Sequence, residues 1–367
     1  MTAREHSRSD PNHVGRRTLL VAVGAIGASA GCLGSVTDRI DRVGLSGDGT
    51  PSTPTVTDVS GTEAVTVSYT TTDGVTTEFV VEGVDPDRSN PSNGWAFVDR
   101  TAIPEALEPA VADPEAGVVA VGDLVLVGNF ETARRETPNG MITIVVPEGR
   151  NVDPERTAYF LAEYTSPYSL GSDRSVTMVA APRALGHRGA MYADGTGYVT
   201  IEAFWDGDVA SVWMHEFVHA HQRFSVDRDM EWFIEASAEY LSFRMLQEQY
   251  DAVTNEDVIA RLEALPEHPD VRLSDPSTWG NDAPDYTRGP RVLYALDATL
   301  RRDSGGDHTL FDVFRAMNRE EGLIDAETFL RLIDSLYMGD IGWVREAIGE
   351  SGRLEWHREN GRIFDNG

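Results

Sequence analysis

One ten-residue segment near the middle of the chain constrains the fold and its chemistry more than any other. Residues 212–221 read Val-Trp-Met-His-Glu-Phe-Val-His-Ala-His, so that His215 and His219 stand four positions apart in an apolar run. Residues at this spacing share one face of a helix, which predicts a helix from about Gly207 to Phe224 with both imidazoles on one side. Glu216 stands beside the pair. The pattern therefore predicts a metal site on a buried helix.

A second apolar segment supplies the acid that such a site needs. Residues 232–240 read Trp-Phe-Ile-Glu-Ala-Ser-Ala-Glu-Tyr, and a helix is predicted from about Trp232 to Gln249. A catalytic zinc ion takes three protein ligands and keeps one position for water, and Glu235 is our candidate for the third ligand. Glu239 lies one turn later and can hold a ligating histidine through its other ring nitrogen. A solvated acidic face is the alternative, but it does not explain two acids among so many apolar residues.

The remaining histidines indicate no second site. His221 follows His219 by two positions, so it points away from the face that carries the pair. Four more, in the part of the chain after residue 150, have no neighbouring ligand pattern and are expected at the surface: His187, His268, His308 and His357.

Taken together, the two segments resemble the gluzincin zinc metallopeptidases, especially their aminopeptidase-N-like branch. The resemblance rests on His-Glu-Phe-Val-His at 215–219 and on Trp-x-x-Glu-Ala-x-Ala-Glu-Tyr at 232–240. It implies that Zn²⁺ is bound by His215, His219 and Glu235. It also implies a zincin-like catalytic domain in which a metal-activated water hydrolyses peptide bonds.

The same resemblance assigns roles to residues outside the ligand set. It implies that Glu216 is the general base and that Glu239 supports a ligating histidine. Tyr-Thr-Arg-Gly at 286–289 looks like the family's Tyr-x-x-Gly motif, whose tyrosine, here Tyr286, hydrogen-bonds the developing oxyanion. Gly189-Ala190-Met191 ends 24 residues before the first histidine and resembles the edge strand that binds substrate.

Two departures from the family pattern bear on geometry and specificity. Fifteen residues separate His219 from Glu235, fewer than is usual in the family, so a short connector must bring the two helices together. Tyr192 stands where the aminopeptidases carry a glutamate that binds the free amine of the substrate. The choice between endopeptidase and exopeptidase therefore stays open.

The N-terminus has the features of an export signal. Arg16-Arg17 precede a stretch of 14 apolar and small residues, which is too short to span a bilayer. The paired arginines resemble a twin-arginine (Tat) signal, and Ser-Ala-Gly-Cys at 29–32 resembles a lipobox. We predict a lipidated Cys32 that anchors the chain to the outer face of the cell membrane. Simple cleavage and secretion is the alternative.

The charge of the chain excludes one class of partner. Acidic residues outnumber basic ones 60 to 31, for a formal net charge of −29, and every basic residue is arginine. Such a chain would be repelled by a phosphate backbone, so no nucleic acid is expected as a partner. The acidic, lysine-free composition resembles that of exported proteins from halophilic archaea. Salt should screen the self-repulsion, so stability is expected to rise with salt.

The pattern along the chain predicts an α+β fold. Alternating β-branched runs dominate the first half, whereas Asp153 and Pro154 open a predicted helix and later segments show helical periodicity. The predicted order is signal peptide 1–31, flexible tether 32–62, β-rich domain 63–150, zincin-like catalytic domain 151–265 with a small mixed sheet, and helical region 266–367.

The function that these patterns favour is a membrane-anchored, extracellular zinc peptidase acting on peptides or proteins. Two alternatives remain. The chain can be a catalytically degenerate lipoprotein of the same fold that only binds a partner. It can also be a structural envelope lipoprotein in which the histidine motif is accidental.

Overall fold

Helices and sheets occur together in this chain, so the predicted α+β class is confirmed. The computed structural model describes residues 54–61, 64–111, 113–205, 209–337, 339–354 and 356. The predicted signal peptide, Cys32, most of the predicted tether and His357 lie outside the described residues. Within the described ranges, no helix is both long and apolar enough to cross a bilayer.

The described chain begins with a three-stranded antiparallel sheet. Its strands are β1 (Thr55–Ser60), β2 (Ala64–Thr70) and β3 (Thr76–Glu82), in that order. Strand β1 falls inside the range predicted as a flexible tether, a prediction that is wrong for these six residues. They form a strand because β-branched residues alternate there and Val59 is buried against the sheet core.

A four-stranded sheet follows, and it is buried on both faces. Its strands are β4 (Ser89–Asn90), β5 (Trp95–Asp99), β6 (Val118–Val121) and β7 (Leu124–Gly128), in the order β4-β5-β7-β6. Ala96 and Val98 pack with the first sheet, whereas Trp95 and Phe97 pack on the other side. The alternation along β5 thus joins two hydrophobic clusters.

A five-stranded mixed sheet positions the segment that carries the histidine pair. Its strands are β8 (Phe130–Thr137), β9 (Gly140–Pro147), β10 (Val176–Ala180), β11 (Gly189–Met191) and β12 (Thr196–Val199). Their order is β11-β12-β10-β9-β8, with β9, β10 and β12 parallel and the two edge strands antiparallel to their neighbours. The sheet takes strands from both sides of residue 150, and the domain limits stay a prediction.

Helices make up most of the second half. In the described part of the chain they are α1 (Pro154–Thr165), α2 (Val212–Ala220), α3 (Glu231–Gln249), α4 (Asn255–Ala264), α5 (Pro284–Ser304), α6 (Leu310–Met317), α7 (Ala326–Leu336) and α8 (Gly342–Gly349). The predicted start of α1 is confirmed: Asp153 caps it and Pro154 fills its first turn. Helix α2 is shorter than predicted, and α4 was not predicted.

Helix α3 lies at the centre of the largest hydrophobic cluster. Trp232, Phe233, Tyr240 and Phe243 are all fully buried, and the helix packs against α1, α2 and α5. A helix that is apolar on nearly all sides has to be enclosed by other elements. An acid beyond the first turn of α3 therefore enters the interior and needs a partner there.

The short connector between α2 and α3 is tied to a distant part of the chain. It contains strand β13 (Ser225–Val226), which pairs in parallel with β14 (Leu323–Ile324). Asp227 N–H donates to the Ile324 carbonyl at 2.9 Å, and the Asn318 side-chain amide donates to the His221 carbonyl at 2.8 Å. These bonds fix the turn that sets α2 beside α3.

Candidate metal centre

Helix α2 presents two imidazoles on one face, as the four-residue spacing predicts. Ser211 caps the helix by accepting from Met214 N–H. His215 is 8% exposed, and its Nε2 lies 3.0 Å from Nε2 of His219. The two rings therefore direct the same nitrogen at a common point.

Glu235 on α3 completes a triangle with these nitrogens. Its Oε2 lies 3.2 Å from Nε2 of His215 and 3.1 Å from Nε2 of His219. The short spacing along the chain is compatible with this geometry because the connector turns tightly through β13 and a single 3-10 turn at Arg228–Met230. In the described ranges, these three residues form the one cluster of three or more histidine, cysteine or acidic side chains that could hold a metal ion.

The dimensions of the triangle suit a transition-metal ion. Three atoms at mutual distances of 3.0–3.2 Å can share a centre about 2.0–2.1 Å from each, which is the zinc–nitrogen and zinc–oxygen distance. Two imidazole nitrogens with one carboxylate oxygen are a donor set that zinc accepts. The residues present thus fit the ion that the sequence pattern implies.

Each imidazole has a hydrogen-bond acceptor behind it. Oε2 of Glu239 lies 3.2 Å from Nδ1 of His215, where the sequence placed it. Oε1 of Gln222 lies 2.8 Å from Nδ1 of His219. Gln222 was missed by the sequence analysis, because its position just beyond the end of α2 gives no helical register to predict its direction.

Burial and neighbouring charges set the pKa values of the centre. Burial lowers the pKa of His215, but hydrogen bonds with Glu235 and Glu239 outweigh it and raise the pKa to about 10. Burial also lowers the pKa of His219, but the charge on Glu235 and its hydrogen bond outweigh burial, so this pKa is raised. Burial would raise the pKa of Glu235, but the two imidazoles hold it well below its usual range. Because a ligating imidazole must be neutral, cation binding at these rings would compete with protons.

Glu216 is buried beside the triangle and packs against the edge of the sheet. It is 5% exposed, and burial is the main reason that its pKa is raised. A Cβ at Gly189 would collide with Oε1 of Glu216, so only glycine leaves room for this carboxylate. The predicted general base and the predicted edge strand are therefore in direct contact.

The segment Gly189–Met191 forms β11, at the end of the five-stranded sheet. It pairs with β12 on one side, and among the described strands none pairs with its other side. Met191 packs against the helical core and Ala190 against the cluster between the two sheets. The outer backbone groups of β11 are thus placed to pair with an extended peptide.

Tyr192, which follows β11, packs between the two sheets. Its ring lies against Gly122 in the turn between β6 and β7, where a Cβ would collide with it. Burial raises the pKa of its hydroxyl group. This side chain serves inter-sheet packing and brings no carboxylate to the end of β11.

Tyr286 lies in the first turn of α5, next to the triangle. Its ring stacks on the His215 ring, with centroids 5.9 Å apart and planes 11° from parallel. Burial raises its pKa, and the charge on Glu235, together with the hydrogen bond that the tyrosine hydroxyl donates to that carboxylate, raises it further. The structure therefore brings six of the predicted residues together: His215, Glu216, His219, Glu235, Glu239 and Tyr286.

The other histidines lie elsewhere. Both ring nitrogens of His221 face backbone carbonyls, those of Phe217 at 2.9 Å and Asn139 at 3.0 Å, so this ring points away from the centre as predicted. His187 is exposed, as expected. His268 and His308 are half-buried, which corrects the expectation of a surface position. Nδ1 of His268 lies 3.2 Å from Oδ2 of Asp282.

Known proteins resemble this chain in fold, whereas no known sequence family matches it. No protein-family model and no curated protein matches it. An aminopeptidase N family protein from Idiomarina loihiensis superposes with a TM-score of 0.55 at 16% identity, covering 77% of this chain and 63% of that one. A variant of the M1 zinc metallopeptidase from Deinococcus radiodurans, bound to a Tyr-Ser-Ala substrate, has a TM-score of 0.47 at 13% identity, covering 80% and 90%.

The first of these likenesses shows the fold. This chain spans less than two thirds of the length of the Idiomarina protein. Within that span the two share a mixed α+β architecture.

Proposed function

We propose that this chain is a zinc-dependent peptidase. The observation that carries the proposal is the triangle formed by Nε2 of His215, Nε2 of His219 and Oε2 of Glu235, with Glu216 buried beside it. The fold shared with an aminopeptidase N family protein supports it. His215, His219 and Glu235 would hold Zn²⁺. When bound, zinc supplies Lewis-acid chemistry: it lowers the pKa of water and polarises the scissile carbonyl.

Glu216 moves the proton. Its carboxylate accepts a proton from the attacking water and passes it to the leaving amine. The raised pKa makes this carboxylate a stronger base than an exposed glutamate, and burial keeps competing water away from it. The glycine at position 189 lets the carboxylate reach the edge strand where the peptide would lie.

Tyr286 stabilises the negative charge that develops on the carbonyl oxygen. Its raised pKa keeps the hydroxyl group protonated, so it stays a hydrogen-bond donor at working pH. Stacking on His215 holds the ring beside the ligands. The hydroxyl group needs only to turn from Glu235 towards the substrate oxygen to act.

The substrate is a peptide that binds as an added strand. The backbone of Gly189, Ala190 and Met191 would pair with it, as an open sheet edge does. Tyr192 offers no negative charge for a free amino terminus. Whether internal or terminal peptide bonds are cleaved stays open, and the products of the peptide-library digest described below distinguish the two.

Export and anchoring complete the proposal, and they rest on the sequence alone. The Arg16-Arg17 pair would direct Tat export, and lipidated Cys32 would hold the enzyme on the outer face of the membrane. Cell fractionation tests this: wild-type protein is expected in the membrane fraction and Cys32→Ser protein outside it. Wild-type protein in the culture medium would favour the secreted alternative.

The catalytic proposal is tested by zinc quantification together with a peptide-library digest. Purified protein should contain about one zinc per chain and cleave peptides. Glu216→Gln should keep the zinc and lose about 10²–10⁴-fold in kcat, because the proton acceptor is removed while the ligands stay. Equal cleavage by both forms would show that the assigned base is wrong. Bound zinc without cleavage in either form would favour the degenerate binding protein.

A further inference from the structure

Gln222 bridges the two helices that carry the metal ligands. It lies three positions beyond His219, just past the end of α2, and is half-buried. Its side-chain oxygen is 2.8 Å from Nδ1 of His219. Its side-chain nitrogen is 2.7 Å from the carbonyl oxygen of Ile234 and 3.0 Å from Oγ of Ser237, both on α3.

These contacts fix which way round the amide group lies. A backbone carbonyl only accepts, so the amide nitrogen has to face Ile234. The Ser237 hydroxyl donates to the same carbonyl at 3.3 Å and is free to accept from Gln222. The oxygen of Gln222 therefore faces His219, and it can only accept.

The orientation of Gln222 in turn decides the protonation of His219. Because an amide oxygen has no proton to give, Nδ1 of His219 must carry the hydrogen. In a neutral imidazole the other nitrogen then carries the lone pair. That nitrogen, Nε2, is the atom 3.1 Å from Glu235 and 3.0 Å from His215.

We propose that Gln222 is a positioning residue that holds His219 in the tautomer able to bind the metal; this rests on the proposed function. A partner that fixes the tautomer and ring orientation of a ligating histidine typically contributes 10- to 100-fold to metal affinity. His215 has a charged partner in Glu239, whereas His219 has a neutral one. The amide provides the acceptor without adding a fourth carboxylate to a centre that already contains three.

Zinc affinity of the metal-free protein is the test. It is measured by competition with a chromophoric chelator for the wild type, Gln222→Leu and Gln249→Leu. Gln249 is also half-buried, and its side-chain amide donates to the Tyr168 hydroxyl at 3.1 Å, so it is a matched control at the far end of α3. Gln222→Leu should bind zinc 10- to 100-fold more weakly, and Gln249→Leu should bind like the wild type.

A conservative variant separates positioning from simple loss of packing. Gln222→Glu keeps the size and an oxygen facing Nδ1, so it should bind zinc more tightly than Gln222→Leu does. If the leucine variant does not fold, the zinc affinity of Gln222→Glu is compared with that of the wild type instead. Equal zinc affinity for the wild type and Gln222→Leu, or equal losses in Gln222→Leu and Gln249→Leu, would overturn the inference. Failure of the wild type to bind zinc would instead overturn the proposed function.

Discussion

Helix α3 carries two groups of buried charges, and they are balanced in different ways. Towards its C-terminal end, Arg244 and Glu248 meet Asp297 and Arg301 from α5. Arg244 is 2.6 Å from Glu248, and Arg301 is 2.9 Å from Glu248 and 3.1 Å from Asp297. Tyr240 adds a hydrogen bond to Asp297 at 2.7 Å. Two guanidinium and two carboxylate groups therefore balance within the chain itself.

The metal centre, nearer the start of α3, lacks this balance. Three carboxylates, those of Glu216, Glu235 and Glu239, surround His215 and His219, whose charge depends on bound protons. The first group is complete as it stands, whereas the second needs protons or a cation. On one helix, buried charge is thus neutralised within the chain in one region and left for protons or a cation in the other.

The largest effect is expected when one carboxylate is removed from the balanced group of charges. Asp297→Asn leaves two buried arginines facing one carboxylate and should lower the free energy of unfolding by about 3–5 kcal/mol. Zinc affinity of the folded variant should be unchanged. Denaturant unfolding measures the loss, with Asp307→Asn, an exposed aspartate just beyond α5, as the control. A loss below about 1 kcal/mol would mean that the four-charge network is not needed for folding.

The next largest effect is expected when one carboxylate is removed from the unbalanced group at the metal centre. Glu235→Gln removes the oxygen ligand and should weaken zinc binding by at least about 100-fold, more than the loss of an outer partner does. Chelator competition measures the change. Glu231→Gln, an exposed acid in the first turn of the same helix, is the matched control and should leave zinc binding unchanged. Similar zinc affinity in the two variants would remove Glu235 from the ligand set.

A smaller effect follows from the proton dependence of the centre. Folding raises the pKa of His215 from its ordinary 6.5 to about 10. A pKa that is raised in the folded state stabilises the fold fully below pH 6.5. This contribution to the free energy of unfolding is lost as the pH rises through the pKa of the folded state. The Tm of metal-free protein should therefore fall between about pH 6.5 and 10. In zinc-loaded protein the fall should be weaker, because the ring has already released its proton. Equal slopes with and without zinc would contradict this.

The smallest effect concerns a guanidinium at the rim of the centre. Arg261 on α4 lies 3.9 Å from Oε1 of Glu239 and is 43% exposed. Because the guanidinium is open to solvent, an ion pair at this distance contributes about 0–1 kcal/mol, so Arg261→Ala should weaken zinc binding by no more than about fivefold. Chelator competition at low and high salt measures it. A loss above tenfold would place Arg261 in the centre, and the charge there would be partly balanced by the chain after all.

The local parts of the centre could be predicted from the sequence. The four-residue spacings of His215 with His219 and of Glu235 with Glu239 fix shared helix faces, whatever surrounds the helix. The start of α1 was predictable for the same reason, since Asp153 and Pro154 act within one turn. The start of helix α4 is local in the same way, because Thr254 and Asp257 form a capping box within one turn.

The parts that depend on distant contacts could not be predicted. Gln222 reaches His219 only because the connector turns back onto α3, and no spacing rule describes that turn. Residues 55–60 look like tether until their pairing with β2 is known. The network around Asp297 joins residues more than 50 positions apart. Tertiary contacts decide all three, and a sequence alone does not contain the pairing.

The parallel pairing of β13 with β14 affects when the centre can form during synthesis. The connector that spaces the metal ligands finds its partner strand about 100 residues later in the chain. At translation rates of about 5–20 residues per second, the connector would be synthesised about 5–20 s before Leu323 and Ile324. The connector in a nascent chain would therefore stay unpaired until most of the polypeptide has been made.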